Sequence, residues 1–476
     1  GMSEQKKSMT VVGGGPGGYT AAFAAAKAGM AVTLVECGEL GGTCLNNGCI
    51  PTKTIKSSAE ALELAHQAVQ FGVKIEGGVS IDPQAVYERK ERVCATLRTG
   101  LEKTCAALGV TLLRGKGRMV RGGEVEVTSN GTASTVTSDY VILATGSHPV
   151  NLPGLAADHK RILTSDDALK LTHVPASIII VGGGVIGCEL ACIYQAFGST
   201  VTVVEGQDRI LPLPSVDADI SVLLQREMKK RRIACELGQT LTQVRVDENG
   251  VSGVLAPSPF VSGGPVKPER PISAELVLVS VGRAPMTSGL GLKEAGVATD
   301  ERGWIRADEY MRTSVPGVYA VGDALGPSRV MLAHVAASEA LCAVNDCLTG
   351  GKGTPMDYRF VPSAIFTSPE IGCVGMSEKQ ARDAGHEVKT SVVQVRELGK
   401  AQAMGALPGF CKLVADAGDG TLLGAHMAGA HASDLIAECT LALRMGASVN
   451  DIATTIHAHP TLAEAVGDAA LRMEEE

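Results

Sequence analysis

Aromatic side chains are scarce in this 476-residue chain, at 3% of the total with a single tryptophan, while glycine is abundant at 57 residues. Together with 45% hydrophobic residues, that balance excludes a disordered or fibrous chain. It fits an α/β protein with many tight strand-to-helix turns. An excess of positive charge is also missing. The formal net charge is −8, so no basic face is offered to nucleic acid and the charge favours solubility. Long apolar runs are absent too. The longest such stretch, Ser177 to Ile193, is interrupted by Glu189 and laced with glycine, which reads as strand, turn and buried helix rather than a membrane span. The lysine-bearing stretch before the first strand has no apolar segment, so no signal peptide is expected. The 13 cysteines are odd in number and scattered through apolar segments, unlike a secreted disulfide framework. A reducing, cytoplasmic setting is the expectation.

The length implies three or four domains. Thr10 to Val12 is a short strand leading into Gly13-Gly14-Gly15-Pro16-Gly17-Gly18, followed by an alanine-rich helix over Tyr19 to Gly29, a strand over Ala31 to Val35, and Glu36. This is a dinucleotide fingerprint. Gly13, Gly15 and Gly18 allow a tight turn and close backbone approach to a pyrophosphate, the helix N-terminus stabilises it, and the acid 18 residues past the last glycine accepts hydrogen bonds from a ribose. From Ile178 the pattern repeats. A strand to Val181, Gly182, Gly184 and Gly187, a helix to Phe197, a strand over Val201 to Val204 and then Glu205 keep the same 18-residue spacing. Two fingerprints imply two dinucleotides, with electrons passing between them. Glu205 suits the 2′-hydroxyl of NAD and repels the 2′-phosphate of NADP. Glu189 reads either as an acid favoured by the helix dipole or as an ion partner for Lys53.

Between the fingerprints lies Gly41 to Lys53, GGTCLNNGCIPTK. On a regular helix, residues five apart place their Cα atoms roughly 8 to 9 Å from each other, whereas a disulfide needs about 4.4 to 6.8 Å. A bond between Cys44 and Cys49 therefore demands a distorted helix entrance, with Gly48 taking the unusual angles. A helix N-terminus would favour a thiolate there. Three readings stay open: two buried fillers, half a metal site, or a redox dithiol. The lack of a second CxxC or a nearby histidine weighs against metal.

Further on, Pro149, Pro153 and Gly154 mark a boundary, and five prolines from Pro257 to Pro271 mark an inserted loop. The basic run Arg226 to Arg232 reads as a solvated helix face or, alternatively, a docking patch for an acidic partner. Asp323, after the strand Val318 to Val321, is either an N-cap or a ligand contact at a strand's carboxyl end. Past residue 350 the pattern becomes α+β. Near the end, Thr461 and Glu464 fit a capping box before a helix over Thr461 to Arg472, while His459 and Glu464 also fit a dyad whose carboxylate fixes the imidazole tautomer.

The order of first fingerprint, GGTCxNxGCxPxK, second fingerprint, VGRxP, VGD and HxHPTxxE covers nearly the whole chain and resembles the pyridine nucleotide-disulfide oxidoreductases, in particular their dihydrolipoamide-oxidising branch. The resemblance implies an α/β fold with two Rossmann-like domains, FAD-binding over 1–150 and NAD-binding over 151–282. It also implies a central domain over 283–350 completing the FAD site and an α+β dimerisation domain over 351–476. It assigns Cys44, Cys49, His459 and Glu464 to catalysis. FAD falls to Gly13, Gly15, Gly18, Glu36, Gly42, Thr43, Lys53, Thr145, Gly146, Asp323 and Ala324, and NAD to Gly182, Gly184, Gly187, Glu189, Glu205 and Gly282. No metal is implied. Cys44 would exchange with dihydrolipoamide, Cys49 would face the flavin as a thiolate, and His459 and Glu464 would serve the cysteines of the other subunit of a homodimer. The implied partner is the lipoyl domain of a 2-oxoacid dehydrogenase or glycine cleavage complex, with no nucleic acid and no membrane. Reduction of another small disulfide, a mercuric-reductase-like activity and redox sensing are the alternatives. Asn47, Thr52 and the long 257–271 insertion depart from the family pattern.

Overall fold

The computed structural model describes residues 6–476, so the first five residues, on which part of the leader reading falls, lie outside the described residues. The chain forms two compact units. One combines the residues up to Ile55 with Gln84–Val150 and Gly282–Tyr358, and the other combines Lys56–Pro83, Asn151–Val281 and Arg359–Glu476.

The first unit is built on a five-stranded parallel sheet in the order Val318–Ala320, Tyr140–Leu143, Ser8–Val12, Ala31–Glu36, Thr111–Arg114. Parallel sheets are covered on both faces, so their strands read as apolar runs. Accordingly Val11, Leu34, Ile142 and Leu143 are all at 0% exposure, each contributing roughly 1.5–3 kcal/mol by leaving water. The helix Pro16–Lys27 begins three residues ahead of Tyr19, the start read from sequence, because proline is suited to a first helical turn whose N–H needs no partner. It lies close to the sheet through Ala21, Ala22 and Ala25, and a Cβ on Gly18 would fall 1.7 Å from the Gly13 carbonyl oxygen. A three-stranded antiparallel sheet over Lys116–Arg121, Glu124–Ser129 and Thr132–Thr137 completes the unit. Its second turn has positive φ at Asn130 and Gly131, 49° and 78°, as a tight hairpin requires.

The second unit repeats the parallel design in the order Ala234–Leu237, Thr200–Glu205, Ser177–Val181, Leu276–Val279, Ile162–Leu163. The apolar stretch from Ser177 is indeed strand and buried helix, Val185–Phe197. Among the described residues no helix is long and apolar enough to cross a membrane. Beyond residue 360 a five-stranded antiparallel sheet is backed by the helices Ala432–Arg444 and Glu464–Glu475 around a separate apolar core. The last helix starts at Glu464, three residues later than the sequence suggests. Thr461 accordingly donates its hydroxyl to the Ala458 carbonyl instead of capping.

The basic run is divided in its roles. Lys230, 64% exposed, pairs with Glu227 at 3.1 Å, as a solvated face would, whereas Arg231 makes a part-buried ion pair with Glu63 at 2.7 Å.

Candidate active site

Gly48 breaks the cysteine stretch into two helices. Gly42–Asn47 ends on it with φ −143° and ψ −112°, and Cys49–His66 begins immediately after. The break brings the two thiols into hydrogen-bonding contact, although four residues intervene. That contact, with burial second, pushes the Cys44 pKa well above its ordinary value, and Lys53 opposes the rise by its charge. Cys49 sits at the end of the longer helix where negative charge is favoured. Tyr19, in the first helix, feels both sulfurs: burial first, then their charge, raise its hydroxyl pKa. Asn46 holds the turn. Its amide donates to the Gly42 carbonyl at 3.0 Å and the Leu40 carbonyl at 3.3 Å, and its oxygen accepts from Arg98 at 2.7 Å. Sequence alone singles out neither residue; an amide inside the cysteine motif is the available signal for one, and nothing local announces Arg98.

The first fingerprint stands beside this stretch. A Cβ on Gly42, whose φ is +65°, would lie 2.6 Å from the Gly15 Cα, so bare backbone lines the head of the first helix. Glu36 takes the backbone N–H groups of Gly14, Cys37 and Gly38, while burial raises its pKa overall. Thr145 Oγ1 is buried with no hydrogen-bond partner among the described residues, and Gly146 faces open space. Asp323 is not an N-cap; it lies within a short 3-10 turn, accepts from Ser147 Oγ at 3.1 Å, and burial raises its pKa. Glu339, fully buried, fixes that turn by accepting from Gly322 N at 2.9 Å and from the Tyr358 hydroxyl at 2.6 Å. Arg283 clamps Ser147 through its Oγ at 2.7 Å and its carbonyl at 2.9 Å. A backbone-lined phosphate cradle, an orphaned hydroxyl and acids at two strand ends fit FAD. Ala324, in the same turn, is at 0% exposure, and its carbonyl accepts from Ile305 N at 2.9 Å.

At the second fingerprint a Cβ on Gly187 would lie 2.0 Å from the Gly182 oxygen, matching the first loop. Glu205 accepts from Gly183 N at 2.9 Å and Gln207 N at 2.7 Å, and Gly184 has nothing near its Cβ position. The nearest downstream cation, Arg209, is committed elsewhere: it donates to the Leu211 and Leu213 carbonyls at 2.9 and 2.8 Å and to Ser221 Oγ at 2.7 Å. Glu189 is the fifth residue of its helix, so no acid stands in the first turn, and it accepts from Phe366 N at 2.7 Å. Gly282 belongs to the first unit, beside Val150.

His459 lies in the second unit, with Nδ1 at 2.9 and 3.0 Å from the two Glu464 oxygens. The carboxylate thereby holds the ring proton on Nδ1, and Nε2 is left as the basic nitrogen. Glu464 also accepts from Thr461 N at 2.9 Å, so the helix-entry and dyad readings coexist in one side chain. That amide, then His459, lowers its pKa. His457 bonds Glu438 at 2.6 Å and the Thr455 carbonyl at 2.9 Å. Among the described residues no cluster of metal-ligating side chains occurs.

A parallel nucleotide sheet in each unit and a contacting thiol pair define a dinucleotide-dependent disulfide enzyme. The chain belongs to the pyridine nucleotide-disulphide oxidoreductase family, whose oxidoreductase domain matches residues 7–340 and whose dimerisation domain matches residues 361–470. It is 41% identical over 463 residues, 97% of this chain and 96% of the relative, to the dihydrolipoyl dehydrogenase of Chlorobaculum tepidum. To that of Geobacillus stearothermophilus it is 39% identical over 461 residues, 97% and 94% of the two chains. The crystal structure of LpdA from Mycobacterium tuberculosis superposes with a TM-score of 0.88 at 28% identity, covering 98% of this chain and 99% of that one. The protein is a flavoprotein disulfide oxidoreductase that uses FAD and NAD, and its dimerisation domain makes it a homodimer.

Proposed function

We propose that the protein oxidises dihydrolipoamide to lipoamide through a Cys44–Cys49 couple and delivers the electrons to NAD⁺. The substrate thiolate attacks the Cys44 sulfur of the oxidised pair, breaking the Cys44–Cys49 bond and forming a mixed disulfide. The second substrate thiol then displaces Cys44, releasing lipoamide and leaving two electrons on the protein dithiol. His459 Nε2 takes the substrate proton, with Glu464 holding the ring in the required tautomer; the pair from one subunit serves Cys44 of the other. FAD, when bound, would supply the two-electron relay between this dithiol and NAD⁺. Gly13, Gly15, Gly18, Glu36, Gly42, Thr43, Thr145, Gly146, Asp323 and Ala324 hold FAD, with Lys53 supplying charge near its ring. Gly182, Gly184, Gly187, Glu189 and Glu205 serve NAD.

The observation that carries this reading is the thiol contact made across the helix break at Gly48, since two filler cysteines need no such break. The preference for NAD over NADP draws on Glu205 and on the engagement of Arg209 in its own loop. The substrate dithiol is carried by the lipoyl domain of a 2-oxoacid dehydrogenase or glycine cleavage complex, in the cytoplasm. The test compares two assays of the purified protein: NAD⁺ reduction by dihydrolipoamide, and NADPH oxidation by glutathione disulfide. Activity in the first alone is expected. Activity in the second alone would replace the proposal with a small-disulfide reductase, and activity in neither with a redox sensor.

A further inference from the structure

The insertion between the strands Val251–Pro257 and Arg270–Ala274 is tied down at the carboxyl ends of two strands of the second parallel sheet. Ser258, 6% exposed, donates its N–H to the Gly238 carbonyl at 2.9 Å, and its hydroxyl accepts from Phe260 N at 3.1 Å. Gly238 in turn donates to the Gln207 carbonyl at 2.8 Å, and Lys267 Nζ reaches the Leu237 carbonyl at 3.4 Å. Leu237 ends one strand, while Gly206 and Gln207 follow Glu205 at the end of its neighbour.

This anchoring presents one side chain. The Phe260 ring leans on Gly206, its Cδ2 3.0 Å and its Cε2 3.6 Å from where a Cβ on that glycine would stand, yet the residue is 70% exposed. Val261 approaches Gly238 in the same way, within 3.8 Å of its Cβ position. A chain with only seven phenylalanines leaves this one outside every core, on a segment stiffened by prolines. In a fold of this type the nucleotide lies across the carboxyl ends of the strands, with its adenosine half at the ribose-binding acid. Phe260 stands next to that acid, and a purine offers the flat face that aromatic rings stack upon.

We propose that Phe260 is an adenine-binding residue of the NAD site, stacking on the adenine ring while Glu205 holds the adjoining ribose. The proposal rests on the second fingerprint being the NAD site. It predicts that the adenosine half of the nucleotide, and not the nicotinamide half, senses the insertion. The test titrates the flavin-loaded dimer with ADP-ribose and, separately, with nicotinamide mononucleotide, reading the dissociation constants calorimetrically. Phe260→Ala should weaken ADP-ribose about tenfold, within the range base stacking supplies. It should leave the mononucleotide and the flavin spectrum unchanged, and Phe260→Trp should restore ADP-ribose affinity. Unchanged or tighter ADP-ribose binding by Phe260→Ala would overturn the proposal, tighter binding meaning that the ring occupies the adenine's place; equal loss for both ligands would overturn it too. Glu205→Ala separates the two levels. If it weakens ADP-ribose while Phe260→Ala does not, only the stacking role falls; if neither variant changes binding, the assignment of the second fingerprint falls with it.

Discussion

A single methyl group on Gly187 separates the two nucleotide sites functionally. Its carbon would lie 2.0 Å from the Gly182 carbonyl oxygen and 2.8 Å from Ser280 Oγ, whereas ordinary contact begins at 3.4 Å, so the helix and the loop must part by 3.4 − 2.0 = 1.4 Å. The loop cannot simply yield, because Gly182 N is bonded to the Val204 carbonyl at 2.8 Å. Overpacking of this kind costs about 1–3 kcal/mol, and the displacement moves the helix N-terminus away from the pyrophosphate it should hold. Gly187→Ala should therefore bind NADH about tenfold more weakly or worse, a loss of about 1.4 kcal/mol, while remaining yellow. The counterpart Gly18→Ala needs 3.4 − 1.7 = 1.7 Å of separation and should lose its flavin. Anaerobic stopped-flow absorbance reads both outcomes. In Gly187→Ala, dihydrolipoamide should reduce the flavin at the wild-type rate and NADH should do so slowly. Normal reduction by NADH, or a colourless Gly187→Ala beside a yellow Gly18→Ala, would refute the assignment of the two fingerprints.

Glu464→Gln should keep the flavin and the dimer but slow the dihydrolipoamide half-reaction about tenfold or more, leaving reduction by NADH unchanged; equal slowing of both would remove the dyad from the proton transfer. Acid should weaken the fold in two stages. Burial holds the His426 pKa below its ordinary 6.5, so the unfolded chain takes up a proton that the folded chain refuses, and stability falls as pH drops below about 6.5. Burial alone would raise Asp217, but the N–H groups of Glu378 and Asp219 and the charge of Lys412 hold it low, so its contribution is present above its unfolded pKa and is lost below about pH 4. Thermal melts across pH should show both declines, and His426→Asn should remove the first; a flat profile between pH 5 and 7 would contradict the buried neutral imidazole.

Both nucleotide loops were legible in the sequence because their demands are local: a glycine triad, a helix and an acid at fixed spacing leave few alternatives. The break at Gly48 could be read for a similar reason, from the distance five helical residues would impose. What could not be read is long-range. Val318–Ala320 joins the first sheet beside Tyr140–Leu143, a pairing between segments far apart in sequence that no periodicity reveals. Glu339 sits on an alanine-rich helix where an acid reads as solvent-facing, yet it is fully buried because Gly322 N and Tyr358 satisfy it. Arg98 likewise looks like an ordinary surface cation until the fold brings Asn46 to it, and Arg283, although part of the VGRxP motif, shows no partner in sequence until the fold brings Ser147 to it. Helix starts moved for a different reason. Pro16 can open a helix, and Glu464, occupied by Thr461 N and His459, delays the last one.

The central claim is that electrons enter through one pair among the 13 cysteines. The most direct measurement is differential alkylation of the flavin-loaded dimer before and after one equivalent of dihydrolipoamide under anaerobic conditions, with peptide masses reporting each thiol. New label on Cys44 and Cys49, and on no other cysteine, is the predicted result. Label gained elsewhere, or no gain at these two positions while the substrate is oxidised, would contradict it.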